Sequence, residues 1–210
     1  MSPLSQHLSR VFGAEGTNDL DRAYRDWAVS YDRDLAAAGY AYFQLLPAVI
    51  ARHVRRGERL LDAGVGTGRL GALLRLLDYR DLTGVDHSSD MIQVARTTRA
   101  YDTLRRMDLG QRLDLPDDHF GATVTAGAFT TGHAPPHGFP ELVRVTRTGG
   151  RLVIALNETA RTRDGFGAAL DELVRSDSLE LLEQTPPFAV FPYDPDEHDL
   201  RARIDVYAVR

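Results

Sequence analysis

The sequence has 210 residues, of which 43% are hydrophobic and 26% are charged, proportions typical of one soluble globular domain with a full-sized core. It contains no cysteine, which excludes disulfide bonds, thiolate zinc sites and a cysteine nucleophile. All 25 basic residues are arginine, which excludes a Schiff-base or P-loop lysine, and the net charge of −5 disfavours a nucleic-acid partner.

The N-terminal segment is predicted to be a loose arm followed by two helices. "MSPLSQHLSR" lacks the apolar core and the cleavage pattern of a signal peptide, and no apolar run approaches the roughly 18 residues of a membrane span. We therefore expect a cytoplasmic protein without a membrane partner. After about 17 polar residues, Thr17, Asn18 and Asp19 are positioned to cap a helix over "LDRAYRDWAVSYDRDLAAA". "YAYFQLLPAVIARHV" predicts a second helix that Pro47 kinks or begins.

The rest of the chain alternates between short apolar runs and segments with helical spacing. The predicted strands are RLLDAG, LTGVD, YDTLRRMDL, FGATVTAG, RLVIAL, LELLEQTPPFAVF and RARIDVYAVR. The predicted helices are GRLGALLRLLDY, SSDMIQVARTTR with Ser88 as N-cap, FPELVRVTRTGG and RDGFGAALDELVRS. This alternation predicts an α/β fold with a doubly wound, mostly parallel, seven-stranded sheet. Ligands of such sheets bind beyond the carboxyl ends of the strands.

The turn after the first strand, "LLDAGVGTGRLG", fits two cofactor motifs. Gly66-x-Gly68-x-x-Gly71 matches the dinucleotide fingerprint, whereas Asp62-x-Gly64-x-Gly66-x-Gly68 matches the glycine loop of S-adenosylmethionine (SAM) enzymes. Both motifs need an acid near the end of the second strand for a ribose diol, and Asp86 lies 20 residues after Gly66.

The acid at the end of the first strand favours SAM. A dinucleotide places a doubly negative pyrophosphate at this helix N-terminus, and the carboxylate of Asp62 would repel it. SAM carries an ammonium, a sulfonium and one carboxylate, so its net positive charge suits an acid beneath the loop. A nicotinamide-dependent oxidoreductase is kept as the less favoured alternative.

Several motifs in order, from about Trp27 to Gly150, resemble those of class I SAM-dependent methyltransferases. "LLDAGVGTGRL", "LTGVDHSSDMIQVAR" and "MDLGQRLDLPDDHFGATV" are similar to their successive cofactor motifs, and "WAVSYDRDL" resembles their N-terminal W-A-x-x-Y-D element. "ELVRVTRTGGRLVI" is similar to the segment that leads into their fifth strand, although Thr148 stands where proline is usual. Within this family the sequence most resembles the Williams–Beuren-region methyltransferase-like proteins.

The resemblance implies a Rossmann-like domain over residues 56–210, with an N-terminal arm and lid helices over residues 1–55, in one compact domain overall. Gly64, Gly66 and Gly68 would pass over the methionine part of SAM. Asp62 would reach its ammonium directly or through water, and Asp86 would bind both ribose hydroxyls.

The resemblance also assigns the adenine and sulfonium ends. The residues implied to meet the adenine are His87, Met91 and Leu109, with Asp108 at its amino group. Those implied to line the sulfonium, at the end of the fourth strand, are Ala126, Gly127 and Ala128. Tyr24, Trp27 and Tyr31 share one helical face by their spacing, which is typical both of core packing and of the lid that the resemblance implies.

His133, in "TTGHAPPHG", follows the fourth strand and is the candidate general base; an unperturbed histidine titrates near pH 6.5. Two prolines separate it from His137, so the pair cannot share a helical face, and no metal site is expected. Asn157 and Glu158 end the fifth strand, where they would cap the next turn or contact a substrate.

The sequence therefore predicts an enzyme that transfers the methyl group of SAM to a small-molecule acceptor, leaving S-adenosylhomocysteine (SAH). Two alternatives keep the same fold: a SAM-binding protein that catalyses a non-methylating reaction such as a cyclisation, and a silent SAM-binding subunit.

Overall fold

The computed structural model describes residues 1–14, 16–27 and 29–210, and for Thr17, Asn18 and Asp21 it describes the backbone alone. Its centre is an eight-stranded sheet in the order β3-β2-β1-β4-β5-β8-β6, with the short strand β7 paired to β8. The strands are β1 (Leu60–Ala63), β2 (Leu82–Asp86), β3 (Thr103–Arg106), β4 (Phe120–Ala126), β5 (Thr146–Asn157), β6 (Leu179–Gln184), β7 (Phe188–Ala189) and β8 (Arg201–Val209).

Strands β1 to β5 run parallel to one another, while β8 runs antiparallel to β5, β6 and β7. The mostly parallel, doubly wound α/β sheet that the sequence predicts is thus confirmed. The predicted seven-strand count matches the seven strands of the main path, and the two-residue β7 is an addition. All seven predicted strand segments contain a strand.

The helices are α1 (Pro3–Phe12), α2 (Thr17–Trp27), α3 (Tyr31–Ala37), α4 (Ala41–His53), α5 (Arg69–Leu76), α6 (Ser89–Thr97), α7 (Phe139–Val145), α8 (Glu158–Arg163) and α9 (Phe166–Arg175). They cover both faces of the sheet. Alternate residues of β5 show this, since Val153 and Ala155 pack in the cluster with the N-terminal helices, and Leu152 and Ile154 pack in the cluster with α7 and α9. Both faces are buried because parallel strands are covered on each side by crossover helices.

The N-terminal arm is not loose, which corrects the sequence-based expectation. Helix α1 begins after Ser2, whose side chain accepts a hydrogen bond from the backbone N–H of Ser5, and Pro3 occupies its first turn. Leu4, Leu8 and Val11 recur at helical spacing and are buried in the core. This apolar stripe supplies the burial that holds the segment on the domain.

The long helix predicted for residues 20–38 is interrupted. Helix α2 ends at Trp27 and α3 begins at Tyr31. Helix α2 begins at Thr17, but the predicted side-chain caps Thr17 and Asn18 lie outside the described side chains. Pro47 lies inside α4, so it does not mark that helix's start.

Two boundaries near β5 also differ from expectation. Helix α7 ends at Val145, and "TRTGG", predicted to finish that helix, instead begins β5 at Thr146. Asn157 accepts a hydrogen bond from the backbone N–H of Ala160 and so caps the short helix α8, which the sequence analysis did not predict. No single helix of the described residues is long and apolar enough to cross a membrane; α3 and α4, bent by 85°, reach that length and hydropathy only as a pair.

Candidate functional site

The glycine loop joins β1 to α5 at the carboxyl edge of the sheet, as predicted. The backbone N–H groups of Gly64 and Val65 both donate to the carbonyl of Val85 on β2, at 2.8 and 3.0 Å. Gly64 has φ +93°, and a Cβ there would lie 2.4 Å from the Cβ of Ala128. Only glycine permits this turn and this close approach, which leave the loop backbone open to a ligand.

Asp86 ends β2 beside that loop. One carboxylate oxygen accepts from the N–H of Gly66 and the other from the N–H of Ser88, both at 2.9 Å. Ser88 then caps α6 as predicted, because its hydroxyl accepts from the N–H of Met91. The two donors fix the carboxylate of Asp86 at the edge of a large cavity that it lines.

Asp62 lies beneath the glycine loop, but it does not line the cavity. Its side chain is buried and accepts a hydrogen bond of 2.6 Å from the hydroxyl of Tyr101. That hydroxyl accepts in turn from the N–H of Gly71, at 3.1 Å. Burial raises the pKa of Asp62 to about 7, against the lowering effect of the Tyr101 hydrogen bond.

Tyr101 also explains the third glycine of the dinucleotide-like pattern. A Cβ on Gly71 would lie 2.3 Å from the Tyr101 ring, and one on Gly84 would lie 3.0 Å from it. Gly71 is therefore required by the packing of a tyrosine under the loop, and its presence does not indicate a pyrophosphate.

The cavity has a volume of about 430 Å³, within the 300–1,000 Å³ range of small-molecule sites. It lies beyond the carboxyl ends of β1, β2 and β4. The predicted site residues that line it are Tyr24, Tyr31, Gly64, Gly66, Asp86, His87, Met91, Asp108, Leu109, Ala126, Gly127, Ala128 and His133. Trp27, Asp62 and Gly68 are the predicted site residues that do not line it.

The sequence analysis missed several lining residues: Ala14, Gly16, Leu20, Gly110, Gln111, Gly132, Ala134, Pro135 and His137. A signal existed for Leu20, which lies four residues before Tyr24 on the same helical face. Gly110 and Gln111 directly follow the predicted Asp108 and Leu109. The loop from Gly132 to His137 has no periodicity that would place its members.

Trp27 and Gly68 have structural reasons for their positions. Trp27 is buried in the core, and its indole N–H donates to Asp34 at 3.2 Å. Of the two roles expected for the helical face that it shares with Tyr24, Trp27 therefore has core packing. Gly68 has φ +81°, and a Cβ there would lie 2.9 Å from the backbone of Ala95 on α6. It turns the chain into α5 behind the loop.

Tyr24 and His133 form a hydrogen-bonded pair at the wall of the cavity. The Nδ1 atom of His133 lies 3.1 Å from the carbonyl oxygen of Thr131, which can only accept, so Nδ1 carries the proton. The Nε2 atom is then the acceptor of the Tyr24 hydroxyl at 2.7 Å. Burial lowers the pKa of His133 to about 4, below the value near 6.5 expected from the sequence, so its ring is neutral at pH 7.

Polar contacts join the N-terminal helices α2 and α3 to the glycine loop and to α6. The hydroxyl of Thr67, in the glycine loop, donates to Asp32 of α3 at 2.7 Å. Arg25 of α2 pairs with Asp90 of α6 at 3.1 Å. Because Tyr24 and Tyr31 line the cavity from these helices, α2 and α3 roof it. Burial raises the pKa of both tyrosines, so both carry their protons at neutral pH.

A second, smaller cavity of about 60 Å³ adjoins the first. Its lining residues are Leu8, Val11, Phe12, Tyr24, Trp27, Tyr31, Leu35, Tyr40, Tyr42, Gly127, Thr130, His133, Asn157, Val190, Phe191 and Leu200. It shares Tyr24, Tyr31, Gly127 and His133 with the large cavity, so these four residues form the partition between the two.

Other candidate residues lie in structural contacts. His137 is exposed, and its Nε2 lies 3.1 Å from the carbonyl of Gly110. Glu158 pairs with Arg203 at 2.6 Å. Within residues 1–14, 16–27 and 29–210, no group of three or more His, Cys, Asp and Glu side chains is arranged to hold a metal ion.

Comparisons with known proteins agree with this geometry. A family model described as "Methyltransferase domain" matches residues 61–154, which contain the glycine loop and β2, β3 and β4. Methyltransferase-like protein 27 of Homo sapiens is 30% identical over 193 residues, covering 87% of this chain and 78% of that protein. The chain belongs to the class I SAM-dependent methyltransferases. The resemblance to Williams–Beuren-region proteins is confirmed by the same relative.

Other methyltransferases and solved structures extend the comparison. The phosphatidylethanolamine N-methyltransferase of Cereibacter sphaeroides is 30% identical over 193 residues, covering 80% of this chain and 90% of that enzyme. A chain from the complex of the Haloferax volcanii Trm112 methyltransferase activator has a TM-score of 0.67 at 20% identity, covering 89% of this chain and 95% of its own. The cyclase SpnF has a TM-score of 0.63 at 18% identity, covering 78% and 80%.

Proposed function

We propose that this class I methyltransferase transfers the methyl group of SAM to a small-molecule acceptor. The observation that carries the proposal is the charge of the large cavity, which is lined by Asp86 and Asp108 and by no arginine among its described lining residues. Such a wall attracts the net positive charge of SAM and repels the pyrophosphate of a dinucleotide.

The lining residues match the parts of SAM in order. Asp86, oriented by two backbone donors, binds the ribose hydroxyls. Gly64 and Gly66 expose loop backbone to the methionine part, and Asp108 faces the adenine amino group. The residues that would flank the adenine are His87, Met91 and Leu109, and those that would flank the sulfonium are Ala126, Gly127 and Ala128.

Three predicted residues act from behind the cavity wall. Asp62 has a pKa of about 7, and the ammonium of SAM would favour its charged form, which reaches that ammonium directly or through water. Gly68 and Trp27 hold the loop and the roof in place.

SAM supplies an activated methyl group on sulfur, so the protein's main contribution is to position the acceptor in line and to exclude water. Holding two reactants in place contributes effective molarities of about 10⁵–10⁸ M. Helices α2 and α3 roof the cavity and exclude water from it. An acceptor that loses a proton requires a base, and His133, whose Nε2 is unprotonated, lines the same cavity as Ala126 to Ala128.

A small acceptor suits the space that remains. Helices α2 and α3 roof the large cavity, and α1 and the loop from Val190 to Leu200 contribute lining residues to the smaller cavity beside it. The N-methyltransferase of Cereibacter sphaeroides is named for a single lipid molecule, which supports a small-molecule acceptor here by analogy.

The test is a comparison of cofactors by thermal unfolding. SAH is expected to raise the melting temperature in a dose-dependent way, because a ligand that binds only the folded state stabilises it by mass action. NADH, which carries the pyrophosphate, is the matched control and is expected to have no effect. Stabilisation by NADH without stabilisation by SAH would overturn the proposal.

A second candidate is a SAM-binding protein that catalyses a non-methylating reaction or serves as a subunit. The similar folds of the cyclase SpnF and of a chain from the Trm112 complex support it by analogy. Mass spectrometry distinguishes the candidates: a methyltransferase produces SAH with each turnover, whereas a cyclase converts its substrate without consuming SAM.

A further inference from the structure

The small second cavity has a chemistry of its own. Among its described lining residues, none is Asp, Glu or Arg, and its only ionisable nitrogen base, His133, is neutral at pH 7 because burial lowers its pKa to about 4. Most of the wall is aliphatic or aromatic, with contributions from α1, α3, α4 and the loop before β8. An uncompensated charge entering this space would lose its hydration without gaining a partner, which is costly.

Polar groups of this cavity lie at its partition with the large cavity and also elsewhere in its wall, at Tyr40, Tyr42, Thr130 and Asn157. At the partition the hydroxyl of Tyr24 donates to Nε2 of His133 at 2.7 Å, and elsewhere Asn157 donates to the hydroxyl of Thr130 at 3.1 Å. The oxygen of Tyr24 can accept one further hydrogen bond while it donates to His133. A hydroxyl at the partition would therefore find an acceptor with a neutral base behind it.

We infer that the second cavity, called here the apolar chamber, is the acceptor subsite and that it selects an uncharged, apolar acceptor bearing a hydroxyl group. The inference rests on the proposed function and specifies its substrate class. The inference is based on two observations. The chamber has no charged residue among its described lining residues, and it shares the partition of Tyr24, Tyr31, Gly127 and His133 with the large cavity.

The transfer balances with these groups. The acceptor oxygen forms a bond to the methyl carbon, and the carbon–sulfur bond breaks with its electron pair on sulfur, which yields SAH. The acceptor proton passes to the oxygen of Tyr24 as the Tyr24 proton passes to Nε2 of His133. The imidazolium charge appears as the sulfonium charge disappears, so the net charge of the site is unchanged, and the Thr131 carbonyl retains its Nδ1–H donor.

The chamber is small, which limits the group that it accepts. At roughly 10–15 Å³ for each water-sized group, its 60 Å³ holds about four to six non-hydrogen atoms, which at the upper limit is the six-carbon ring of a phenol whose hydroxyl lies at the partition. Leu8, Val11 and Phe12 of α1 form one side of it, so the helix that the sequence analysis took for a loose arm sets the chamber's size.

The first arm of the test measures probe binding to the full chain by ligand-detected NMR with saturating SAH. The probes are phenol, benzylamine and benzoate, which are similar in size but neutral, cationic and anionic at pH 7. Phenol is expected to bind at least tenfold more tightly than either charged probe. Equal binding of the charged probes, or no binding of phenol, overturns the inference.

The second arm of the test enlarges the chamber by a substitution in α1. Leu8→Ala is expected to raise the preference for 4-propylphenol over phenol by about tenfold, because three carbons of wall are replaced by space for three carbons of ligand. Leu4→Ala is the matched control: the same substitution on the same helix, at a buried residue that does not line the chamber. An equal change in both variants overturns the inference.

A third variant guards against misfolding and separates the two proposals. Val11→Phe is expected to abolish phenol binding while its melting temperature still rises with SAH, which shows that the protein is folded. Retained phenol binding in this folded variant overturns the inference and leaves the proposed function standing. Failure of the unsubstituted chain to bind SAH overturns the proposed function and this inference together.

Discussion

The two ends of the site are built from different kinds of contact. At the glycine-loop end, Gly64, Gly66 and Asp86 come from one continuous β–loop–α–β segment, and their hydrogen bonds are largely to backbone within it. At the opposite end, Tyr24 meets His133 across 109 residues of chain. The first end is specified by local sequence and the second by packing, so the first should be recognisable in many sequences while the second distinguishes one acceptor from another.

The largest expected effect tests the packed end. His133→Ala is expected to lower the rate of SAH formation by about two orders of magnitude, because a general base contributes roughly 10²–10⁴. SAH binding is measured in parallel by calorimetry as the control for the cofactor end. Full turnover in this variant would show that positioning alone drives transfer, and would remove the chemical difference between the two ends.

The pH profile sharpens the same test. In the proposed reaction the neutral form of His133 is the base, and its pKa in the folded protein is about 4. The rate of the unsubstituted enzyme is therefore expected to be flat from about pH 6 to 8 and to fall only as the pH approaches 4. A titration near pH 6.5, the value expected for an unperturbed histidine, would contradict the burial of His133.

The second-largest expected effect concerns Asp86, at the glycine-loop end of the site. Asp86→Ala removes the carboxylate that would bind the ribose hydroxyls, and hydrogen bonds to a charged acceptor contribute about 1.5–3 kcal/mol each. The Kd for SAH is expected to rise at least tenfold. Asp81→Ala is the control, since Asp81 is half exposed and pairs with Arg59 outside the cavity. Unchanged affinity in Asp86→Ala would place the ribose elsewhere.

The sequence predicted the sheet and the positions of the glycine loop and Asp86 at its carboxyl edge for a physical reason. A turn such as the one at Gly64 needs a positive φ, and Asp86 must lie at the end of the neighbouring strand, so composition and spacing carry the geometry. The strand segments were recognisable because buried parallel strands are continuous apolar runs.

The remaining features depend on contacts that a single sequence does not display. Whether Trp27 faces the cavity or the core depends on where α3 turns, and one helical stripe is compatible with both. The pKa of His133 depends on burial under α2, which no local pattern encodes. The role of Tyr101 was missed because it lies beneath the loop from a position 30 residues beyond Gly71.

A smaller effect concerns that tyrosine. Tyr101→Phe removes the donor to Asp62 and the acceptor of the Gly71 N–H. Leaving such groups unsatisfied costs about 1–3 kcal/mol, so the free energy of unfolding, measured with urea, is expected to fall by that amount. Tyr193→Phe is the matched control, because Tyr193 is 74% exposed. Equal stability of the two variants would show that the Asp62–Tyr101–Gly71 contacts do not hold the loop.

The smallest expected effect is the pH dependence that Asp62 imposes on stability. Its pKa is about 7 in the folded protein against about 3.9 in an unfolded chain, so the folded state binds the extra proton between those values. The contribution of this proton to stability is fully present below about pH 4 and is lost as the pH rises through 7. Asp62→Asn keeps an acceptor for Tyr101 and does not titrate, so relative to the unsubstituted protein its melting temperature is expected to rise by a few degrees between pH 5.5 and 8. Parallel melting curves would contradict the raised pKa.

Saturating SAH then tests whether Asp62 also acts on the cofactor. An ammonium near Asp62 favours the charged carboxylate, so SAH is expected to stabilise the unsubstituted protein more than Asp62→Asn at pH 8. Equal stabilisation of the two proteins would confine Asp62 to its contact with Tyr101.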